Sequence, residues 1–203
     1  MMTGGLRFGQ IGSRAVHVAI DMQIFFAENS EWAAQATLDI EPEVATIAAH
    51  CPHRTIFTRF LTPHSADVAK GQWRPYYKRW KSVLAKNNDP AIFDLLPTLK
   101  PYAPPALVVD KYTYSAFETA GFAMALETLK ADTLIFTGVE SDVCVLGTAL
   151  TAIDRGFRVI LINDALASSS PRGHDAVMQH VFTRFDQQVE IIDTKNILEE
   201  WKQ

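Results

Sequence analysis

Cysteine is scarce in this sequence of 203 residues, which contains only Cys51 and Cys144. Two cysteines are too few to build a disulfide scaffold, and no Cys-x-x-Cys or Cys/His spacing indicates a structural zinc site. The two residues are therefore expected to be separate thiols, and each needs its own explanation.

Long apolar runs are also missing. No segment reaches the length that crosses a bilayer, and residues 1–14 lack the apolar core of a signal peptide. These absences predict a cytoplasmic protein without a membrane partner.

Positive charge is neither clustered nor in excess, because 19 Lys and Arg residues stand against 23 Asp and Glu residues, a formal net charge of -4. No basic cluster provides the electrostatic footprint that nucleic-acid binding needs. We therefore expect no nucleic-acid partner, and a small molecule is the expected ligand.

The sequence does contain a regular alternation of short β-branched runs and longer helical patterns. The six candidate strands are AVHVAI (15–20), RTIFT (54–58), ALVVD (106–110), TLIFT (133–137), RVILI (158–162) and VEII (189–192). The candidate helices lie at about 41–50, 116–130, 143–155, 172–184 and 194–202. Nearly continuous apolar strands are typical of a parallel sheet that helices cover on both faces. The pattern predicts one α/β domain over 1–203, with a three-layer, doubly wound (Rossmann-like) fold and a mostly parallel six-stranded sheet.

Two segments stand outside this alternation. Residues 1–14 are interpreted as an N-terminal tail. Segment 62–105 is long and rich in proline, and its aromatic residues are Trp73, Tyr76, Tyr77, Trp80, Phe93 and Tyr102. We interpret 62–105 as a partly helical excursion over the active face, although aromatic residues at the density of 73–80 are equally consistent with a self-association surface.

Three polar residues follow candidate strands at the point where each strand ends. Asp21 follows the first strand, Lys111 follows the third, and Cys144 lies a few residues after the fourth. Ligands of open α/β sheets bind beyond the carboxyl ends of the strands, so these side chains are expected to meet at one edge. A carboxylate, a cation and a nucleophile are the set that an activated thiol requires.

Each of the three residues also has an ordinary structural interpretation. The run around Cys144 reads as strand, Gly-containing turn and then a helix beginning near Asp142 or Val143, which would favour the thiolate and lower the pKa of the cysteine. Cys144 is equally consistent with a buried structural thiol. Asp21 on its own resembles a strand-end or helix-capping residue, and Lys111 a solvated lysine.

Four segments carry a resemblance to a known family: AIDMQIFF (19–26), DKYTYSAF (110–117), GVESDVCV (138–145) and VILINDAL (159–166). In this order and spacing the sequence resembles the isochorismatase-like cysteine hydrolases, a superfamily that includes nicotinamidases and N-carbamoylsarcosine amidase relatives. The resemblance extends over roughly 15–192 and implies the isochorismatase-like hydrolase fold.

The resemblance also implies roles for the three strand-end residues. Asp21 would accept the thiol proton, Lys111 would hold the carboxylate, and Cys144 would attack a carbonyl carbon to form a thioester. A cis peptide bond between Val139 and Glu140 would aim the backbone N–H groups of Glu140 and Cys144 at the oxyanion.

The sequence departs from the nicotinamidase pattern after the second strand. Nicotinamidases carry an Asp-x-His metal motif there, whereas this chain reads TRFLTPHSAD (58–67), with Arg59 at the carboxylate position and His64 as the nearest imidazole. One histidine is too few for a transition-metal site. We therefore expect no metal and no cofactor, and nicotinamide is disfavoured as the substrate.

Three further residues are candidates for substrate contact. Phe26 falls on a position that lines the pocket in the family, and Tyr114 lies close to Lys111, although either residue is also consistent with plain core. Arg59 is suited to a substrate carboxylate or carbonyl if its guanidinium faces the pocket, and is otherwise expected in a surface salt bridge.

The retained Cys144 favours acyl chemistry, so the leading hypothesis is a hydrolase that cleaves a C–N bond in a small amide, ureide or carbamoyl compound. The alternative is an isochorismatase-type hydrolase of a small aromatic or enol-ether acid, or a non-hydrolytic member that binds a small molecule or senses oxidants through its thiol. The resemblance further implies a homodimer or homotetramer.

Overall fold

Six strands form one fully parallel sheet in the order β3-β2-β1-β4-β5-β6 in the computed structural model, which describes residues 6–202. The strands are β1 (Ala15–Ile20), β2 (Thr55–Phe60), β3 (Leu107–Lys111), β4 (Thr133–Gly138), β5 (Arg158–Leu166) and β6 (Val189–Ile192). This is the doubly wound order, in which the direction of winding reverses between β1 and β4. The predicted fold class is confirmed.

Eight α-helices connect and cover the strands. They are α1 (Ile24–Ala27), α2 (Gln35–Asp39), α3 (Glu41–His50), α4 (Trp73–Arg79), α5 (Ala120–Thr128), α6 (Leu146–Asp154), α7 (Pro171–Ala176) and α8 (Thr194–Glu200), as counted over residues 6–202. Residues of α3 and α8 pack into a core on one face of the sheet, and residues of α5 and α6 pack into a second core on the other.

The sheet has a core on both faces, and β1 illustrates the consequence. Ala15 and Ala19 belong to one core, whereas Val16, Val18 and Ile20 belong to the other, and all of them are fully buried. A strand in this position has no solvent-facing side, which is why its sequence reads as a continuous apolar run instead of an alternating one.

Two predicted helices are interrupted. The helix predicted at 116–130 begins as a 3-10 turn, Ala116–Glu118, and Thr119 is extended before α5 starts. The helix predicted at 172–184 is α7 followed by a π-helical turn and a 3-10 turn. Apolar periodicity tolerates a local change of helical pitch, so it predicts the element without these breaks.

The described part of the predicted N-terminal tail, residues 6–14, is docked against the sheet. Ile11 is buried, and the Arg158 guanidinium donates hydrogen bonds to the carbonyls of Gly9 and Gln10 at 2.9 and 3.1 Å. The same guanidinium forms an ion pair with Glu190 at 2.7 Å. Residues 1–5 of the predicted tail lie outside the described residues.

Segment 62–105 contains α4 and several 3-10 turns, and its aromatic side chains fold back onto the carboxyl edge of the sheet. Trp80 packs on Trp32 at 6.0 Å between ring centroids, Trp73 packs on Tyr114 at 4.9 Å, and Tyr77 is buried. These contacts favour a cover over the candidate site rather than a free association surface.

The homo-oligomer stays a prediction. An apolar surface that is more exposed than the aromatic segment 73–80 lies on β3 and α5. The exposed apolar side chains include Leu107 and Val108 on β3, which is an edge strand of the sheet, and Met124 on α5. An uncovered edge strand of this kind is a ready site for association. We expect light scattering at micromolar concentration to give a dimeric or tetrameric mass, and a monomeric mass would contradict the expectation.

One polar side chain, that of His17, is completely buried in the middle of β1. Its Nε2 lies 2.8 Å from Thr137 Oγ1 and its Nδ1 lies 3.3 Å from Thr55 Oγ1. Thr55 already donates its hydroxyl proton to the Cys51 carbonyl, so Nδ1 of His17 is the donor to Thr55 and Nε2 the acceptor from Thr137. Burial lowers the pKa of His17 to about 3.

Acid should therefore destabilise the protein through His17. Between its unfolded pKa of about 6.5 and its folded pKa, only the unfolded state binds the proton, so stability is lost as the pH falls below about 6.5. We expect His17 to account for a loss of about 2 kcal/mol in the free energy of unfolding at pH 5 relative to pH 7.

Urea unfolding at pH 7, 6 and 5 measures this loss in the native protein and in His17→Gln. The variant should lose most of the acid-dependent slope, whereas His64→Gln, at an exposed position, should keep it. Equal slopes in native protein and His17→Gln would contradict the assignment.

The described residues contain no helix that is both long enough and apolar enough to cross a bilayer.

Candidate active site

The ends of three strands bring Asp21, Lys111 and Cys144 together at the carboxyl edge of the sheet. Asp21 directly follows β1, Lys111 is the last residue of β3, and Cys144 lies in the π-helical turn Ser141–Val145 that follows β4. The three side chains also interact electrostatically, since Asp21 and Lys111 each affect the pKa of Cys144.

The close approach of β1 and β4 at this edge depends on glycine. Gly138, the last residue of β4, has a φ of 102°, and a Cβ there would lie 2.1 Å from the carbonyl oxygen of Ile20. Asp21, the first residue after β1, has a φ of 52°, in the left-handed region that Asp tolerates better than most residues. The chain therefore turns sharply out of β1 at the residue that carries the carboxylate.

Asp21 and Lys111 form a fully buried ion pair. Lys111 Nζ lies 2.7 Å from Asp21 Oδ2, and both side chains have no exposed surface. β2 separates β3 from β1, so the lysine side chain crosses it, and Nζ lies 4.8 Å from the centroid of the Phe60 ring. Nζ also donates hydrogen bonds to the carbonyls of Thr113 and Tyr114 at 3.0 and 3.2 Å.

The surroundings keep this lysine charged. Burial lowers the pKa of Lys111, but the negative charge of Asp21 and the neighbouring Cys144 outweigh burial, and the pKa is raised overall. Lys111 is therefore an ammonium group at neutral pH, with its charge directed at the carboxylate and the thiol.

Thr58 of β2 orients the carboxylate. Its hydroxyl donates to Asp21 Oδ1 at 2.6 Å and accepts from the Asp21 backbone N–H at 3.1 Å. Oδ2 is the oxygen near Lys111 and, apart from that ionic contact, accepts no hydrogen bond within residues 6–202. The carboxylate thus has one oxygen fixed by Thr58 and one with free lone pairs for a proton.

Cys144 is a thiol at rest. The residue is only 6% exposed, and burial raises the pKa of the thiol well above its ordinary value. Lys111 lowers this pKa and Asp21 raises it, so the ion pair cannot offset the loss of solvation. The expected lowering of the Cys144 pKa is therefore wrong: the helix-terminus argument leaves out the burial of the sulfur and the nearby anion.

The turn before Cys144 has the backbone geometry that the resemblance implies. The Val139–Glu140 peptide bond is cis. The Glu140 carbonyl accepts from the N–H groups of Val143 and Val145 at 3.1 and 3.0 Å, which closes the turn over Cys144. Ser141 N–H donates to the Ala167 carbonyl at 2.8 Å and attaches the turn to the end of β5.

Cys144 lines a cavity of about 350 Å³. Its aromatic wall is formed by Phe26, Trp32, Phe60, Tyr76, Trp80 and Tyr114, and its charged lining residues are Glu31 and Glu140. Burial raises the pKa of the Tyr114 phenol, so its hydroxyl is uncharged at neutral pH. The cavity has the size and apolar character of a small-molecule site.

Phe26 and Tyr114 line this cavity together with Cys144, but Arg59 does not. The Arg59 guanidinium binds both carboxylate oxygens of Asp110, at 2.7 and 3.1 Å, and lies 3.5 Å from Asp94. Arg59 and Asp110 are directly paired in the β2–β3 ladder, so their side chains share a face. The structure therefore favours a salt-bridge role for Arg59 over a contact with substrate.

The sequence patterns did not indicate Thr58, Trp32 or Glu31. Thr58 immediately precedes Arg59 in β2 and faces the carboxylate, which only the β1–β2 register reveals. Trp32 and Glu31 lie in the irregular connection between α1 and α2, where no periodicity indicates a direction. Within residues 6–202, no group of three or more His, Cys, Asp or Glu side chains is placed to hold a metal ion.

The sequence of the chain is similar to those of several known proteins. The chain is 32% identical over 132 residues to an uncharacterised isochorismatase family protein, PncA, of Bacillus subtilis, which covers 65% of this chain and 64% of that protein. It is 34% identical over 77 residues to Nicotinamidase 3 of Arabidopsis thaliana, covering 38% of this chain and 39% of that protein. The matches thus span under two thirds of these relatives' own length.

A solved cysteine hydrolase from Pseudomonas syringae pv. phaseolicola 1448A has the same fold, with a TM-score of 0.81, 23% identity and 98% of each chain covered. The isochorismatase domain model matches residues 15–195, a range that contains all six strands of the sheet. The chain therefore belongs to the isochorismatase family.

Proposed function

We propose that this protein hydrolyses the C–N bond of a small amide, ureide or carbamoyl compound through a thioester on Cys144. The observation that carries the proposal is a thiol that lines the cavity and interacts with a buried Asp21–Lys111 ion pair. A nucleophile, a proton acceptor and a fixed cation would then meet where the cavity gives a carbonyl group access to the sulfur.

The first half of the reaction forms the acyl-enzyme. The thiol gives its proton to Asp21 Oδ2 while the sulfur attacks the carbonyl carbon, and Lys111 stabilises the negative charge that passes from carboxylate to sulfur. The backbone N–H groups of Glu140 and Cys144 hold the tetrahedral oxyanion. Protonated Asp21 then donates to the leaving nitrogen, and ammonia or an amine departs.

The second half removes the acyl group. Asp21, again a carboxylate, takes a proton from water, whose oxygen attacks the thioester carbon. Collapse of the second tetrahedral intermediate breaks the C–S bond, and the thiolate recovers its proton from Asp21. One amide and one water yield one carboxylic acid and one amine, and the enzyme returns to its thiol form.

Two observations support C–N chemistry in particular. Cys144 is present and accessible from the cavity, and a thiol nucleophile is suited to acyl transfer. Nicotinamidase 3, one of the curated relatives, is named for cleavage of an amide. The nucleophile and the oxyanion donors are groups of the protein itself, so no metal is required for the steps described.

The proposal is tested by ammonia release from a panel of primary amides, ureides and carbamoyl compounds. Native protein should release ammonia from at least one class, and rapid quenching followed by intact-mass measurement should detect the acyl group on Cys144. Release of ammonia that persists in Cys144→Ala, or a complete absence of release across the panel, would contradict the proposal.

Turnover should survive metal removal. We expect prolonged dialysis against EDTA to leave kcat within about twofold, because the described residues supply nucleophile, acid–base group and oxyanion donors without a metal. The measurement compares ammonia release before and after dialysis. Loss of turnover that zinc or manganese restores would show that residues around Arg59 and His64 hold a metal after all.

A further inference from the structure

The wall of the cavity next to Cys144 is a continuous aromatic cluster centred on Trp32. Its ring centroid lies 6.4 Å from that of Phe26, with the two rings nearly parallel at 10°, and 6.2 Å from that of Phe60. Tyr76 and Trp80 each lie 6.0 Å from Trp32. Several π systems therefore surround the space in which the non-reacting part of a substrate would lie.

The charges that line this cavity are all negative. Glu31 accepts a hydrogen bond from Ser82 and Glu140 Oε1 accepts from the Ser169 N–H at 3.0 Å, but neither carboxylate forms an ion pair with any of residues 6–202. Neither carboxylate therefore has a cationic partner among the described residues at the cavity.

The nearby cations are already engaged. Lys111 is paired with Asp21, so the buried pair has no net charge, and Arg59 is paired with Asp110 and Asp94. No lysine or arginine is among the lining residues in the described part of the chain. A substrate carboxylate would therefore meet aromatic faces and two carboxylates, and no lining guanidinium or ammonium group would donate hydrogen bonds to it.

A compact ammonium group suits this lining. The negative face of an aromatic ring attracts a cation, and the attraction is strongest where the cation is surrounded by several rings and partly desolvated. Unpaired carboxylates at the same cavity add to the attraction and raise the local concentration of cations. Alkylated ammonium groups lose less hydration than a simple ammonium on entering such a site.

We propose that the cavity selects small amides whose non-reacting part is a cation of the quaternary or alkylated ammonium class. This specificity rests on the proposed amide hydrolysis and deepens it. It also separates this chain from hydrolases of aromatic or enol-ether acids, because their anionic substrates would be repelled by Glu31 and Glu140.

The test uses a pair of amides that differ in charge and hardly in shape. In 4-(trimethylammonio)butanamide a positively charged nitrogen stands where its isostere, 5,5-dimethylhexanamide, has a carbon, and three methylene groups separate this nitrogen from the amide so that its charge does not activate the carbonyl. Succinamate, which carries a carboxylate, is the third substrate. We expect kcat/KM for the cation to exceed that for the neutral isostere by at least about tenfold, and succinamate to be hydrolysed least.

Variants assign the preference to the cavity. Glu140→Gln preserves shape and the acceptor for Ser169, and it should reduce the cation-to-isostere ratio by about threefold or more. Trp32→Leu should reduce it similarly by removing the central π face. Glu28→Gln, an exposed residue near Glu31 that does not line the cavity, should leave the ratio unchanged. The ratio is insensitive to a general loss of catalysis.

Binding to Cys144→Ala, measured by calorimetry, separates this inference from the proposed function. Tighter binding of the cation than of its isostere, weakened by Glu140→Gln, supports the inference even if no amide is turned over. Cys144-dependent turnover in which the neutral isostere equals or exceeds the cation overturns the inference and leaves amide hydrolysis intact. Equal binding of both compounds to Cys144→Ala also overturns it.

Discussion

Cys144→Ala should lower kcat for ammonia release by at least about 10³-fold and eliminate the acyl-enzyme, because it removes the thiol that lines the cavity and interacts with the Asp21–Lys111 pair. Ser should not substitute well for Cys144, since its hydroxyl is far less acidic than a thiol and the buried site already disfavours the anion. Steady-state ammonia release with a substrate from the panel measures both variants.

Cys51 provides the matched control within the same chain. It is also a buried free thiol, and burial raises its pKa too, but it follows α3 at the amino edge of the sheet, just before β2. Cys51→Ala should change kcat by less than about twofold, because it is remote from the cavity. Near-native turnover in Cys144→Ala, or an equal loss in Cys51→Ala, would contradict the assignment of the nucleophile.

The convergence of the three side chains was predictable from sequence because it depends on topology alone. In a parallel sheet the carboxyl ends of all strands lie at one edge, so residues that follow β1, β3 and β4 approach each other whatever the details of packing. The contact of Lys111 with Asp21 does not require the two residues to lie on neighbouring strands, since the long lysine side chain crosses β2 to reach the carboxylate.

Properties that depend on register or solvation were not predictable in the same way. Whether Arg59 faces a ligand or Asp110 is decided by which residue of β3 lies beside it. The pKa of Cys144 is decided by the loss of solvation of the sulfur and by the position of the Asp21 oxygen, which no local pattern records. The helix-terminus argument was sound for an exposed thiol and failed for a buried one.

A neutral thiol at rest makes the proton acceptor essential. Asp21→Asn keeps the size and the Thr58 hydrogen bond of the side chain but cannot accept the thiol proton. We expect kcat to fall by about 10²-fold or more, the range for a lost general acid–base group, with a smaller change in substrate binding. Ammonia release and calorimetric binding measure the two effects separately.

The same variant should react faster with iodoacetamide. Asp21 raises the pKa of Cys144 and Lys111 lowers it, so removing the carboxylate's charge leaves the thiolate next to an unopposed ammonium. Iodoacetamide is uncharged, so its rate of reaction follows the thiolate fraction rather than attraction to the site. Peptide mass spectrometry at pH 7 to 8, with Cys51 as the internal reference, should show faster alkylation of Cys144 in Asp21→Asn.

Lys111→Met should instead slow both turnover and alkylation, because it removes the cation that favours the thiolate. It also leaves a buried carboxylate without its partner, at a cost of roughly 3–5 kcal/mol in stability, so thermal unfolding must accompany the kinetics. The double variant Asp21→Asn with Lys111→Met removes both charges and should recover much of that stability without recovering turnover.

Opposite responses of the two reactions identify the role of Asp21. If Asp21 only supported the fold, Asp21→Asn would lower turnover without a specific effect on the alkylation of Cys144. Any faster alkylation would then come from a general loosening of the fold, and Cys51 would also be alkylated faster. If Asp21 is the base that deprotonates a neutral thiol, its loss affects turnover and alkylation in opposite directions. Turnover needs a group that accepts the thiol proton, whereas alkylation by iodoacetamide depends only on the fraction of Cys144 present as thiolate. If Asp21→Asn slowed alkylation of Cys144, or retained near-native turnover, the carboxylate would not be the proton acceptor and the thioester mechanism would require another base.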